Sequence, residues 1–249
     1  MITIKSQSEI ELMRQAGRIV AECHEFIAGK VRPGITTLEL DHLAEKFIRD
    51  HGAYPTFLGY QGFPKSICAS INDEVVHGIP TNRKLAEGDI IAVDLGATLN
   101  GFVGDAARTH AVGKVSQEAQ KLIDVTRKSF FKGIEFAREG YRLSDISHAV
   151  QAYVESNGFS VVRDYVGHGI GREMHEDPPI PNYGKPGHGP RLRRGMCLAI
   201  EPMVDVGTYE VEVLDNDWTV VTADGSLSAH YENTICITGE GAPEILTLL

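Results

Sequence analysis

Asp94 and Asp105 fall on the two arms of one predicted β-hairpin, at positions where hairpin geometry alone brings two carboxylates to the same face. Asp89 to His110 alternates apolar and small residues around Asn100-Gly101, a dipeptide suited to a two-residue type I′ turn because both residues tolerate positive φ. Counting outward pairs Leu99 with Phe102, Ala97 with Gly104 and Gly96 with Asp105. Asp94 shares the face of Gly96 and becomes the diagonal neighbour of Asp105, at about 7 to 8 Å between backbones. Two carboxylates so placed repel, and a divalent cation, or a pair roughly 3.5 to 4 Å apart, removes the repulsion. The alternative is two solvated aspartates on an exposed face.

Three further residues could complete such a site. His168 lies in Gly167-His168-Gly169-Ile170-Gly171, where flanking glycines let backbone or ligand approach the imidazole. A phosphate loop is the rival reading, but Glu173-Met174-His175-Glu176-Asp177-Pro178-Pro179 cannot open the helix that would hold a phosphate. His175-Glu176 also fails as a zincin helix, because Pro179 stands where the second histidine is required. Glu201 interrupts the apolar run Met196 to Val204, and Glu232 interrupts the pattern around Tyr231 to Ile237. A buried carboxylate is costly unless it is paired or metal-bound. Singly, each fits a surface or salt-bridged role; as a set with His168 and the aspartates they fit a metal centre. Asp94, Asp105, Glu201 and Glu232 would balance two divalent cations, with His168 as a neutral donor. Carboxylate-rich ligation with one imidazole suits Mn, Fe or Co and tolerates Zn, and it lacks the thiolates of a structural zinc site. Such a pair of ions can hold a bridging water of lowered pKa and polarise a carbonyl oxygen, so the expected centre is catalytic.

The elements that must position these residues follow a repeated plan. Shifted by 106, Gly34, His42 and Gly52 fall on Gly140, His148 and Gly158; shifted by 107, Leu85, Gly88 and Ala92 fall on Leu192, Gly195 and Ala199, and Asp94 falls on Glu201. Leu40, Leu43, Ala44, Phe47 and Ile48 have the spacing of an amphipathic helix, and Ile146, Ala149, Val150, Tyr153 and Val154 repeat it. The expected architecture is α+β, one catalytic domain over 1–249 with similar halves at about 1–115 and 116–249 around a pseudo-twofold axis. Acidic groups from each half would meet in the cleft between them.

Helices are predicted from about Ser8 to Lys30, Thr37 to His51 with a Thr36/Glu39 capping box, Glu118 to Ala137 and Ser144 to Asn157. Strands are predicted near Cys68 to Asn72, Ile90 to Thr98, Val161 to His168, Met196 to Val204, Val211 to Leu214, Trp218 to Thr222 and Ala229 to Thr238. The Pro- and Gly-rich stretch Asp177 to Pro190 reads as a loop.

Composition restricts the partners. A formal net charge of −10 argues against nucleic acid or an anionic membrane as a main partner, and Arg191 to Arg194 reads as a solvated basic patch. Cys23, Cys68, Cys197 and Cys236 form no CxxC pair, and no apolar signal segment follows Met1, so reduced thiols and a cytoplasmic location are expected. No run is long and apolar enough for a transmembrane helix.

The ordered set Asp94, Asp105, His168, Glu201 and Glu232 resembles the dinuclear ligand set of the methionine aminopeptidases of the creatinase-like pita-bread fold. Ser70-Ile71-Asn72-Asp73-Glu74-Val75-Val76-His77-Gly78-Ile79-Pro80, Gly167 to Gly171 and Ala199-Ile200-Glu201-Pro202-Met203 are similar to that family's own segments, and the resemblance covers essentially the whole chain. The short His168 to Glu201 interval leaves no room for the helical insertion of the type II enzymes, and no zinc-finger extension precedes the first helix. A short, bacterial-type type I enzyme is implied. So is a central antiparallel sheet with outer helices.

The resemblance further implies removal of an initiator methionine from nascent chains with a small second residue, and two divalent ions (Co, Mn, Fe or Zn) activating a bridging water. It assigns Asp94 to one ion, Asp105 and Glu232 to both, and His168 and Glu201 to the other, with Glu201 also transferring the proton. His77 and His175 match the two substrate-contacting histidines. Phe57, Tyr60, Phe63, Cys68, Met174 and Trp218 match walls of the methionine pocket, whose polarizable apolar lining suits a thioether. Phe57, Phe63 and Met174 stand where relatives carry Cys, Tyr and Phe, so selectivity is retained while pocket shape differs. The implied setting is a monomer meeting peptide N-termini at the ribosome. Proline-directed hydrolysis on the same fold and a non-catalytic binding module are the competing readings.

Overall fold

The computed structural model describes residues 1–239 and 241–249. Among these, four α-helices pack outside antiparallel sheets: α1 (Gln7–Ala28), α2 (Thr37–Asp50), α3 (Gln117–Ile134) and α4 (Leu143–Ser156). Side chains set their starts. Ser6 with Glu9 and Thr36 with Glu39 form capping boxes, and Ser116 accepts from the Ala119 N–H at 3.0 Å. The first helix therefore begins a residue earlier than Ser8, because Ser6 is the cap.

The hairpin is as counted. Ile90–Leu99 pairs antiparallel with Phe102–Ala111, with Leu99 opposite Phe102, Gly96 opposite Asp105 and Asp94 opposite Ala107. Asn100 and Gly101 both take positive φ, at 52° and 77°. Tyr54–Pro55 and Cys68–Ile71 flank the first arm, and α1 and α2 cover this sheet through a core that includes Val20, Ile27, Leu40, Ile48, Ile91 and Leu95. In the second half α3 and α4 cover a five-stranded sheet and a three-stranded one, over cores that include Phe130, Ile146, Ile235 and Val150, Val154, Val204.

The offsets of 106 and 107 recur in hydrogen bonds and backbone angles as well as in sequence. An isolated antiparallel bridge joins Thr36 to Lys84 beside the start of α2, and another joins Arg142 to Arg191 beside the start of α4. Gly34, Gly52 and Gly88 have positive φ, and so do their counterparts Gly140, Gly158 and Gly195. This pairing of halves around a central set of antiparallel strands is the pita-bread architecture.

Three predicted strands are each divided in two. Met196 to Val204 splits into Cys197–Ile200 and Met203–Asp205, which belong to different sheets; Pro202 has no N–H for a ladder and sits at the break. Ala229 to Thr238 splits into Ser228–His230 and Asn233–Cys236, the partners of those two pieces. Val161 to His168 is reduced to Ser160–Val161 and Gly167–Gly169. Glu201 and Glu232 thus both stand where the chain crosses from one sheet to the next. Asp177 to Pro190 is not wholly a loop: Glu176–Ile180 is an edge strand, the position in a sheet where Pro178 and Pro179 cost no ladder bond on the outer side. Among the described residues, no helix is long and apolar enough to cross a membrane.

Candidate metal centre

The crossing points bring Glu201 and Glu232 into one cavity of about 120 Å³, which Asp94, Asp105 and His168 also line. Asp94 and Asp105 come from the hairpin. His168 comes from the short strand between the edge strand and Cys197–Ile200. One backbone bond and one side-chain bond join these strands beneath them: the Glu232 N–H donates to the Ala107 carbonyl at 3.0 Å, and the Asp105 N–H donates to the Thr234 hydroxyl at 3.0 Å. The Arg108 guanidinium donates to the carbonyls of Glu232 and Thr247 and to Asn233 Oδ1, and lies 4.6 Å from the Tyr231 ring centroid.

His168 Nε2 is 3.6 Å from Glu201 Oε1 and 3.9 Å from Asp105 Oδ2. The other ring nitrogen, Nδ1, is 2.9 Å from the Gly169 carbonyl, so a proton there leaves the Nε2 lone pair facing the carboxylates. One donor atom each from Asp105, His168 and Glu232 lies within 4.8 Å of the others.

The electrostatics are those of a site built for cations. Burial raises the Asp94 carboxyl well above its ordinary range, with Asp105 and Glu201 adding to the effect. Burial and the Asp105 charge raise Glu201; burial, then Asp105, Glu201 and Asp94, raise Glu232 against the pull of Arg108. Asp105 is pushed up to about 7 by burial. Burial and His175 lower His168 to about 4, which keeps its ring neutral at neutral pH. Among the described residues, Asp94 Oδ1, Asp105 Oδ1 and Glu232 Oε1 are buried with no hydrogen-bond partner. Buried polar atoms without partners are uncommon, and here oxygen atoms of three carboxylates point into one cavity. The residues fit divalent cations: hard oxygen donors, one imidazole, no thiolate ligand.

The other predicted residues converge on the same cavity: Phe57, Tyr60, Phe63, Cys68, His77, Met174, His175 and Trp218 all line it. Phe57, Phe63 and Cys68 form a buried apolar cluster against Met174 and Trp218, with the Phe63 and Trp218 rings edge-on at 5.1 Å. Trp218 precedes its strand rather than beginning it, because the Asn216 side chain accepts from the Trp218 and Thr219 N–H groups and holds a turn. His77 holds φ at 60°, sparsely populated for a residue with a Cβ. Burial and His175 lower it to about 4. His175 sits with its ring 4.4 Å from that of His168.

Two residues at the site escaped sequence reasoning. His230 Nε2 lies 3.6 Å from Glu201 Oε2, and Glu201, His230 and Glu232 form a second group with donor atoms within 4.8 Å. Its spacing two residues before Glu232 was the available signal. Gln61 lines the cavity from a turn with φ at 50°, and nothing in its sequence context marks it.

The sequence matches the profile of Metallopeptidase family M24 over residues 11–239. The chain belongs to that family. It is 65% identical over 249 residues to "Methionine aminopeptidase" of Clostridium acetobutylicum, covering 100% of this chain and 99% of that one. It is 56% identical over 247 residues to "Methionine aminopeptidase 1" of Bacillus subtilis, covering 99% of each. The crystal structure of methionine aminopeptidase from Rickettsia prowazekii superposes with a TM-score of 0.98 at 46% identity, over 100% of both chains. The activity that goes with this full-length identity is that of a methionyl aminopeptidase, a metal-dependent exopeptidase of the short bacterial type.

Proposed function

We propose that the chain removes the initiator methionine from peptides and nascent chains whose second residue is small, using two divalent cations held by Asp94, Asp105, His168, Glu201 and Glu232. The observation that carries this reading is the convergence of four carboxylates, Asp105 and Glu232 buried and Asp94 and Glu201 half-buried, on one neutral imidazole, with unpartnered oxygens on three of them. When bound, the cations, drawn from Co, Mn, Fe or Zn, would lower the pKa of a shared water and polarise the scissile carbonyl.

The chain's own residues supply the rest. Glu201, with its proton affinity raised by burial and Asp105, accepts a proton from the attacking water and returns it to the leaving amine. With the Tyr60 hydroxyl donating to His175 Nδ1, the neutral His175 ring carries its proton on Nε2 and can donate to the oxygen of the tetrahedral intermediate. His77 contacts the scissile amide. Phe57, Phe63, Cys68, Met174 and Trp218 enclose the methionine side chain at the apolar end of the same cavity.

In this reading 1–249 is one catalytic unit, a cytoplasmic monomer acting on N-termini at the ribosome, without nucleic-acid binding of its own. Two peptides test it: Met-Ala-Ser should release methionine, with loss of activity in chelator, while an Xaa-Pro peptide should not be cut. Cleavage of the Xaa-Pro peptide alone would transfer the site to proline-directed hydrolysis. Cleavage of neither, with metal present, would leave a binding module.

A further inference from the structure

Cys197 and Cys236 face each other across the two strands that lead into Glu201 and out of Glu232. Cys197 pairs with Cys236 in an antiparallel register, and the Cys197 carbonyl accepts from Ile170 on the opposite side at 3.2 Å. Its backbone bonds are therefore aimed away from Cys236, which makes this a non-hydrogen-bonded pair. Such pairs bring the Cα atoms to about 4.5 Å with side chains at their closest, inside the range a disulfide requires. Both thiols point to the same face, into a buried cluster with Ile10, Met13 and Leu246.

From this geometry we infer that Cys197 and Cys236 form a reversible cross-strand disulfide whose state is felt at the carboxylates four residues along each strand. Cys236 is the thiol poised to react first. The Cys236 thiol donates to the Ile237 carbonyl at 3.8 Å, and the neighbouring Cys197 side chain lowers its pKa against burial and Glu244, with help from Lys5 and Arg14. The neighbouring Cys236 side chain, together with burial, raises Cys197. Cys236 also borders a small cavity between Gln7, Ile10, Arg194 and Glu244, large enough to admit a peroxide. In the first step the Cys236 thiolate attacks hydrogen peroxide, giving a sulfenic acid and hydroxide. The Cys197 sulfur then attacks the sulfenic sulfur, the S–S bond forms and water leaves. Two thiols and one peroxide become one disulfide and two waters, with both electrons accepted by the peroxide. Neither Cys23, pushed up to about 12 by burial, nor Cys68, raised by burial and Asp94, lies opposite another cysteine in a strand register.

The disulfide stands on geometry alone; its coupling to the centre rests on the cation reading above. The test is to treat metal-free, full-length protein with hydrogen peroxide, map it under non-reducing conditions and titrate Mn²⁺ calorimetrically into oxidised and reduced samples. The expected result is a Cys197–Cys236 linked peptide that dithiothreitol dissolves, with Mn²⁺ affinity at least about fivefold lower in the oxidised form. The affinity change should vanish in Cys197→Ser, and Cys236→Ser serves if that variant misfolds. Thiols left free, or oxidised singly without a link, would overturn the disulfide. A link with unchanged affinity would overturn the coupling. Failure of the reduced protein to bind Mn²⁺ would overturn the cation reading and its coupling, leaving the disulfide decided by the peptide map.

Discussion

The Tyr60 hydroxyl lies 2.7 Å from His175 Nδ1, so a residue of the first half holds the ring of a residue of the second. Removing the hydroxyl should loosen the ring without removing it. Tyr60→Phe is expected to lower kcat about tenfold, and His175→Ala by about a hundredfold or more, with smaller changes in KM. Steady-state kinetics on Met-Ala-Ser checks both, and an effect of His175→Ala confined to KM contradicts its role at the reacting carbonyl.

Glu201→Ala and Asp105→Ala should each reduce kcat/KM by about a thousandfold or more. The fold should survive, because each substitution removes one member of a mutually repelling buried cluster. In metal-free protein the thermal midpoint should therefore hold or rise. Full activity of either variant in metal-defined buffer refutes the assignment.

Above the range in which the lowered histidines His77, His110, His168 and His230 titrate, the raised carboxyls set the sign of the pH dependence of the metal-free protein. A carboxyl whose folded pKa exceeds its unfolded value binds more protons in the folded state, so stability falls as pH rises between the two. For Asp105 that window runs from about 4 to about 7, and Asp94, Glu201 and Glu232 shift in the same direction. Asp205, buried away from the centre and also raised to about 7, contributes a share that cations do not reverse. Chelated protein should melt lower at about pH 8 than at about pH 6.5, above the range in which the buried histidines act in the opposite direction, and added Mn²⁺ should restore most of the difference at the higher pH. Scanning calorimetry with and without the ion tests this; equal melting in chelator across the window is the contrary result.

Gly104 carries no side chain because α1 crosses it: a Cβ there would lie 2.7 Å from the Gly17 Cα. Gly104→Ala must push the helix away from the hairpin arm that carries Asp105. A loss of about 1 to 3 kcal/mol is expected in denaturant titration, with reduced turnover because the neighbouring carboxylate moves. A variant as stable and active as the parent would show that this contact does not position the arm.

Much of the centre was legible because hairpin geometry is local. Asn100-Gly101 sets the turn, the turn sets the register, and the register places Asp94 diagonally to Asp105 on one face. The offsets of 106 and 107 recur in the bridges at Thr36–Lys84 and Arg142–Arg191, which follow the same numbers. The capping boxes were similarly visible in short segments.

What the sequence alone determined was the residue types, the hairpin register, the helical faces and the likeness to a family of metal-dependent aminopeptidases. Tertiary structure decided which strands break and where. Met196 to Val204 and Ala229 to Thr238 each looked continuous, since alternation is blind to a change of sheet, yet both divide beside a glutamate and deliver Glu201 and Glu232 to one cavity. His230 joined them for the same reason: its distance to Glu201 depends on how two distant strands pair, which spacing along the chain does not encode. Burial, too, is a property of the assembled halves, and burial is what turns four ordinary carboxyls into a cluster that needs cations.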